Sequence, residues 1–185
     1  MTMSTATLIT AEEFSTMSFD RPVELVRGEI FEMTNPGGRH GNLCFRFAMM
    51  IGGWIETHAE FDVATNDSGV LVENDPDTVR GPDLLVIRRS KLPGGRFPMG
   101  HLGVPPDVAI EIRSPSDRSH DVMRKVSLFL AAGVAEVWVI EPDHQRVFIH
   151  RDDEETTVFQ GNDILTSPQL PDFECPLPKL FEGIT

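Results

Sequence analysis

The stretch that most constrains this chain runs from Asp107 to Ile140. The apolar block Val108-Ala109-Ile110-Glu111-Ile112, broken by one acid, is followed by a helical pattern from Asp117 to about Ala132, then Gly133, then the apolar run Glu136 to Ile140. Strands apolar on both faces belong inside a sheet. A buried strand, helix, strand unit over 108–140 points to a mixed sheet flanked by helices. Gly133 suits the residue after a helix, where a positive φ is needed.

The remaining pattern fits around that unit. Thr10-Ala11-Glu12-Glu13 reads as an N-cap with acids in the first turn, opening a short helix to about Met17. Pro22 to Met33 suggests two strands joined by a tight turn at Arg27-Gly28, and Asn35-Pro36-Gly37-Gly38 is a loop. Leu43, Phe47, Met50, Ile51 and Trp54 recur at helical spacing and predict a long helix from about His40 to His58. Strands are expected at Phe61 to Ala64, Val70 to Val72, Leu84 to Ile87, Arg146 to His150 and Thr157 to Gln160, with a mobile Gly/Pro-rich loop over 91–106. The C-terminal part is Pro-rich and ends near a short segment from Leu177 to Phe181. Interleaved elements predict an α/β fold, a mixed β-sheet flanked by helices, with a disordered tail at 1–9 and one domain over 10–185.

Composition excludes several classes. No run approaches the roughly 18 apolar residues of a membrane helix. The start, Met1 to Thr10, lacks the basic and apolar blocks of a secretory signal, so a cytoplasmic location without a membrane partner is expected. The two cysteines, Cys44 and Cys175, read as reduced thiols packed as small apolar groups, with no Cys or His neighbour at zinc-ligand spacing. The net charge of −13 opposes a phosphate backbone, but its distribution is uneven. Between Arg80 and Lys125 nine basic side chains face five acids, a net +4 that leaves −17 on the rest. That segment could form a cationic end or merely solvated loops.

Three groups can carry chemistry. Alternation puts Val108, Ile110 and Ile112 on one strand face and Ala109, Glu111 and Arg113 on the other. A buried carboxylate needs compensation, so Glu111 calls for a metal, a cleft or a salt bridge to an arginine such as Arg113. Asp83, after Pro82 at the entrance of a buried strand, can point into a crevice or simply close a turn. Two carboxylates with waters suffice for Mg²⁺. On the following helix Val122, Val126, Phe129 and Leu130 form an apolar stripe, and Lys125 lies on its flank. Its amine can reach the strand ends, or snorkel to solvent beside Asp121. His40, at the start of the long helix, suits a phosphate or water contact as well as a plain structural role. Ser114 and Ser116 are expected to cap the helix and leave backbone N–H groups free for an anion.

These residues resemble a known family. Pro82-Asp83, Glu111 on a strand, Ser114-Pro115-Ser116, Lys125 and Gly133-Val134, with Glu24-Leu25-Val26-Arg27-Gly28-Glu29, Arg39-His40-Gly41 and Ala132 to Trp138, look like the PD-(D/E)XK nuclease superfamily. Within it they look like the restriction-endonuclease-like Uma family, over about Thr10 to Phe181. The resemblance implies a restriction-endonuclease-like fold and an Mg²⁺ or Mn²⁺ site of Asp83 and Glu111, with Glu24 as a further acid. It implies hydrolysis of nucleic-acid phosphodiesters, DNA before RNA, by a homodimer. The superfamily's lysine two residues after the strand acid is here Arg113, which can neutralise charge but not act as a base. Lys125 matches a helix lysine that takes that role in this branch. Phe129 and Val137 replace usual tyrosines. The competing expectation is a nuclease-like module that binds nucleic acid or protein with little catalysis, since fold does not fix function. No Gly-x-Ser-x-Gly or phosphate-binding glycine loop supports another hydrolase.

Overall fold

A computed structural model of the chain describes residues 8–115 and 117–184. Its centre is a six-stranded mixed sheet, in the order β10 (Thr157–Gln160), β9 (Arg146–His150), β8 (Glu136–Glu141), β7 (Val108–Ile112), β6 (Leu84–Arg88), β3 (Phe61–Thr65). Only β7 and β8 run parallel, the pair joined by α3 (Ser119–Ala131), and every other neighbour is antiparallel. The strand, helix, strand unit expected over 108–140 is thus a parallel crossover and the spine of the molecule.

The alternation expected along β7 holds. Val108, Ile110 and Ile112 join Leu84, Val86, Trp138 and Ile140 under α2 (Gly38–Ile55), whose Leu43, Phe47, Ile51 and Trp54 are buried against them. Ala109 joins Leu85, Ile87, Val137 and Val139 under Val126 and Phe129 of α3. Burial of this many large apolar side chains on both faces is the main stabilising term, at about 25 cal/mol per Å².

A four-stranded sheet, β2 (Glu29–Glu32), β1 (Val23–Val26), β5 (Thr78–Arg80) and β4 (Val70–Glu73), stands beside the main one. Arg27 (φ 52) and Gly28 (φ 77) make the turn between β1 and β2, the double positive φ of a type I′ hairpin. A Cβ on Gly28 would lie 2.6 Å from that of Leu8. The Ile9 amide donates to the Gly28 carbonyl at 2.9 Å. The end of the expected tail is thus held against the hairpin, while residues 1–7 lie outside the described residues. Helix α1 (Ala11–Thr16) has the capping box implied by Thr10 and Glu13.

Three strands were not foreseen. β5 is three residues long, too short for a period to show. β11 (Ile164–Ser167) and β12 (Leu170–Pro176) form a separate antiparallel ladder running into α4 (Leu177–Leu180). Pro171 and Pro176 hide β12, because a two-stranded ladder has only edge strands and so tolerates residues without an N–H. The 91–106 stretch differs from the mobile loop expected. Leu92 and Leu102 are buried, and Leu102 exchanges backbone hydrogen bonds with Gly69 and Leu71 at 2.8 and 2.9 Å. No described helix is long and apolar enough to cross a membrane.

Candidate metal centre

Register explains why two acids from separate strands meet. β6 and β7 pair antiparallel with Leu84 opposite Ile110 and Leu85 opposite Ala109. One step further, Asp83 stands opposite Glu111, and directly opposed residues share a face, with Cβ atoms about 4.5–5.5 Å apart. Both belong to the face covered by α3, and both line a cleft of about 510 Å³ at this end of the sheet. The Asp83 carboxylate is fixed from two sides: Oδ2 accepts the Ile112 amide at 2.6 Å, and Oδ1 lies 3.2 Å from His40 Nε2.

Lys125 enters from α3 as its position on the helix flank implies. Its Nζ donates to the Gly81 carbonyl at 2.6 Å and to Glu111 Oε2 at 3.0 Å, and lies 3.5 Å from Glu24 Oε1. Glu24, on β1 of the small sheet, is 4% exposed and accepts the Gly81 amide at 3.0 Å, with Arg80 Nε 3.1 Å from its other oxygen. Gly81 is the hub: its amide holds the acid and its carbonyl holds the amine. A Cβ here would stand 2.2 Å from the Asp67 carbonyl oxygen, so only glycine fits.

Electrostatics at Glu111 are unusual. Burial pushes its pKa up to about 8, against the pull of Lys125 and with the repulsion of Asp83 and Glu24 adding to it. Oε1 is 2.8 Å from the Lys125 amine but off the direction of a hydrogen bond, and it has no hydrogen-bond partner among the described residues. A buried carboxylate facing a second one across the strand pair, with an ammonium against it, offers the oxygens that a small hard cation takes. The oxygen donors of Asp83 and Glu111 are of the kind that Mg²⁺ or Mn²⁺ takes. Burial disfavours the Lys125 ammonium, but Glu111 and Glu24 outweigh it and raise its pKa above the usual lysine value. His40 is pushed up to about 10, first by Asp83 and then by Cys44.

Other expectations are corrected. Arg113 shares the face of Glu111 but does not line the cleft. Its guanidinium goes to Glu141 Oε1 at 2.7 Å and to Ser119 Oγ at 3.2 Å, because the parallel partner β8 offers a carboxylate there. Ser114 does not cap α3; the N-cap is Arg118, without a side-chain cap, and the Ser114 amide donates to Asp117 Oδ2 at 2.7 Å. Ser116 lies outside the described residues. Of the basic residues of 80–125, Arg80, Arg118 and Lys125 line the cleft against Asp67, Asp83, Glu111, Asp117 and Asp121, while Arg88 and Lys91 pair with Asp107 and Arg89 with Asp62 elsewhere. Phe129 and Val137, which replace family tyrosines, are fully buried core residues, so their change touches packing and not the cleft wall. Cys44 does have a metal-ligand neighbour, contrary to expectation: His40, one turn earlier on the same helix, places Nδ1 3.4 Å from its Sγ.

Two cleft residues escaped the sequence reading. Asp67 lines the cleft, and its pKa is raised by burial first and by Asp83 next. It stands in a turn with Asn66, both at positive φ, and only the approach of Gly81 brings it inward. Arg80 lines the same wall. The one available signal was the Asn-Asp pair, which reads as ordinary turn chemistry.

Comparison with known proteins bears on the family and the fold. The model of the Uma2 family, described as "Putative restriction endonuclease", matches residues 11–178. No curated protein matches significantly. Among solved structures, one described as "a putative nuclease belonging to DUF820" from Anabaena variabilis ATCC 29413 superposes with a TM-score of 0.79. It is 24% identical, and the match covers 96% of this chain and 99% of that one. The shared fold is the restriction-endonuclease-like mixed sheet flanked by helices.

Proposed function

Because this chain belongs to the Uma2 restriction-endonuclease family, we propose that its cleft hydrolyses nucleic-acid phosphodiester bonds, with DNA as substrate and Mg²⁺ or Mn²⁺ as cofactor. The observation that carries the reading is the meeting of the Glu111 and Asp83 carboxylates across the strand pair at the cleft, with the Lys125 amine alongside. A bound ion of this kind polarises a phosphate and lowers the pKa of a coordinated water.

The chain's own groups have separable tasks. Asp83 and Glu111 hold the cation, and Glu24 fixes Lys125 and Gly81 from behind. Lys125 stays an ammonium at neutral pH, so it serves as a fixed charge and donor towards a phosphate oxygen and not as a base. His40, kept as an imidazolium by Asp83, stands near the start of α2, where Gly37 and His40 both line the cleft. The N-termini of α2 and α3 open on this cleft, and neither has a side-chain cap among the described residues, so their free N–H groups and dipoles favour an anion. Cutting both strands of a duplex takes two such clefts, which a homodimer supplies.

The test incubates the purified chain with plasmid and single-stranded DNA, with and without Mg²⁺ or Mn²⁺, beside Asp83→Asn and Glu111→Gln. Metal-dependent cleavage lost in both variants supports the reading. Binding of DNA without cleavage by the unaltered chain overturns it in favour of a binding module.

A further inference from the structure

The acids at the strand ends are hard oxygen donors, but α2 carries a softer pair, of which His40 lines the cleft. His40 and Cys44 are four residues apart on that helix, so their side chains stack on one flank. Cys44 Sγ lies 3.4 Å from His40 Nδ1, and His40 Nε2 lies 3.2 Å from Asp83 Oδ1. One ligand atom from each of the three residues falls within 4.8 Å of the others, and all three are partly buried. Two ligating side chains one helical turn apart, completed by a third from a facing element, are a common way for a helix to present a metal site. Once the ion has displaced the protons that the His40 imidazolium and the Cys44 thiol carry without it, thiolate, one imidazole nitrogen and carboxylate together suit Zn²⁺, with a fourth position left for water.

We propose that His40, Cys44 and Asp83 form a binding site for Zn²⁺ or a similar borderline-soft ion, separate from the all-oxygen set of Asp83 and Glu111 but sharing Asp83 with it. Mg²⁺ shuns sulfur, and Zn²⁺ stands above Mn²⁺ in the affinity order for mixed nitrogen and sulfur ligands, so the two sets select different ions. Asp83 engaged by the soft ion is withdrawn from the hard one, and Zn²⁺ thereby switches hydrolysis off. That consequence rests on the nuclease reading, whereas the binding itself does not. Cys44 has no task in the proposed hydrolysis and separates the two claims.

Metal-stripped full-length chain is titrated with Co²⁺ and followed by absorption. A single Co²⁺ per chain producing a thiolate-to-cobalt charge-transfer band, bleached by Zn²⁺ but not by excess Mg²⁺, is the expected result. Cys44→Ser and Cys44→Ala lack the band and bind Zn²⁺ at least about tenfold more weakly, with unchanged circular dichroism. No band in the unaltered chain, or the same band in Cys44→Ser, overturns the site; the latter would move the thiol ligand to Cys175. In the cleavage assay Cys44→Ser acts as the unaltered chain does with Mg²⁺ alone and needs at least about tenfold more Zn²⁺ for inhibition. Equal Zn²⁺ inhibition in both overturns the switch. A chain with the cobalt band but no cleavage in Mg²⁺ or Mn²⁺ keeps the site and overturns the nuclease reading instead.

Discussion

Glu136 and Glu111 lie towards opposite ends of the two parallel strands, β8 and β7, and meet opposite fates. Glu136 is fully buried, and its oxygens are filled: Oε2 accepts the Trp138 indole N–H at 2.7 Å and the Ser167 hydroxyl at 2.6 Å, and Oε1 accepts Arg151 Nε at 2.8 Å. Glu111 is also desolvated, but the Lys125 amine is its one side-chain partner among the described residues, and it borders a cleft beside Asp83. The first arrangement completes a polar network and locks β8 to the ladder of β11 and β12. The second leaves a carboxylate at a cleft opening. Burial alone does not set the two acids apart; the number of donors on each and its place at a cleft do.

Substitutions can break that contrast. The largest effect is expected for Glu136→Ala, which strands the Arg151 guanidinium and two donors in the core. It should lower stability by about 3–5 kcal/mol in urea unfolding, while activity per folded molecule persists. Glu111→Gln should do the reverse, cutting metal-dependent cleavage at least about 100-fold, or about 2.7 kcal/mol of barrier, with unfolding midpoint little changed. Loss of fold in Glu111→Gln, or loss of cleavage in folded Glu136→Ala, would erase the distinction.

Smaller effects sharpen it. Gly81→Ala forces a methyl group against the Asp67 carbonyl and should destabilise by about 1–3 kcal/mol, moving Glu24 and Lys125 together. Cleavage should fall along with stability here, unlike at either glutamate. Arg113→Ala is the mildest. It removes a largely buried partner of Glu141, which keeps Arg146, and should lower stability by about 1 kcal/mol and leave cleavage within about threefold. A loss of cleavage as large as that of Glu111→Gln would return Arg113 to the site.

Much of the fold was legible because its signals are local. The α1 capping box, the Arg27-Gly28 hairpin, the helical stripe of α2 and the β7, α3, β8 unit each declare themselves within a few turns of chain. What was missed had no local signal: β5 is too short to show a period, and the prolines of β12 argue against a strand until its edge position is known. The site divides the same way. Asp83, Glu111 and Lys125 stand out as polar groups in apolar surroundings, whereas Asp67 sits in a turn that explains its residue type completely.

The amino-acid order determined which segments coil or extend and which side chains are too polar for where they must lie. It presents Glu111 and Glu136 as near equals, each an acid on an apolar strand. Only the tertiary structure decided between them. Strand register put Asp83 opposite one, and Trp138, Ser167 and Arg151 converged on the other. The physical reason is that a carboxylate's state depends on charges and donors within a few ångströms, and those neighbours come from parts of the chain far away in sequence.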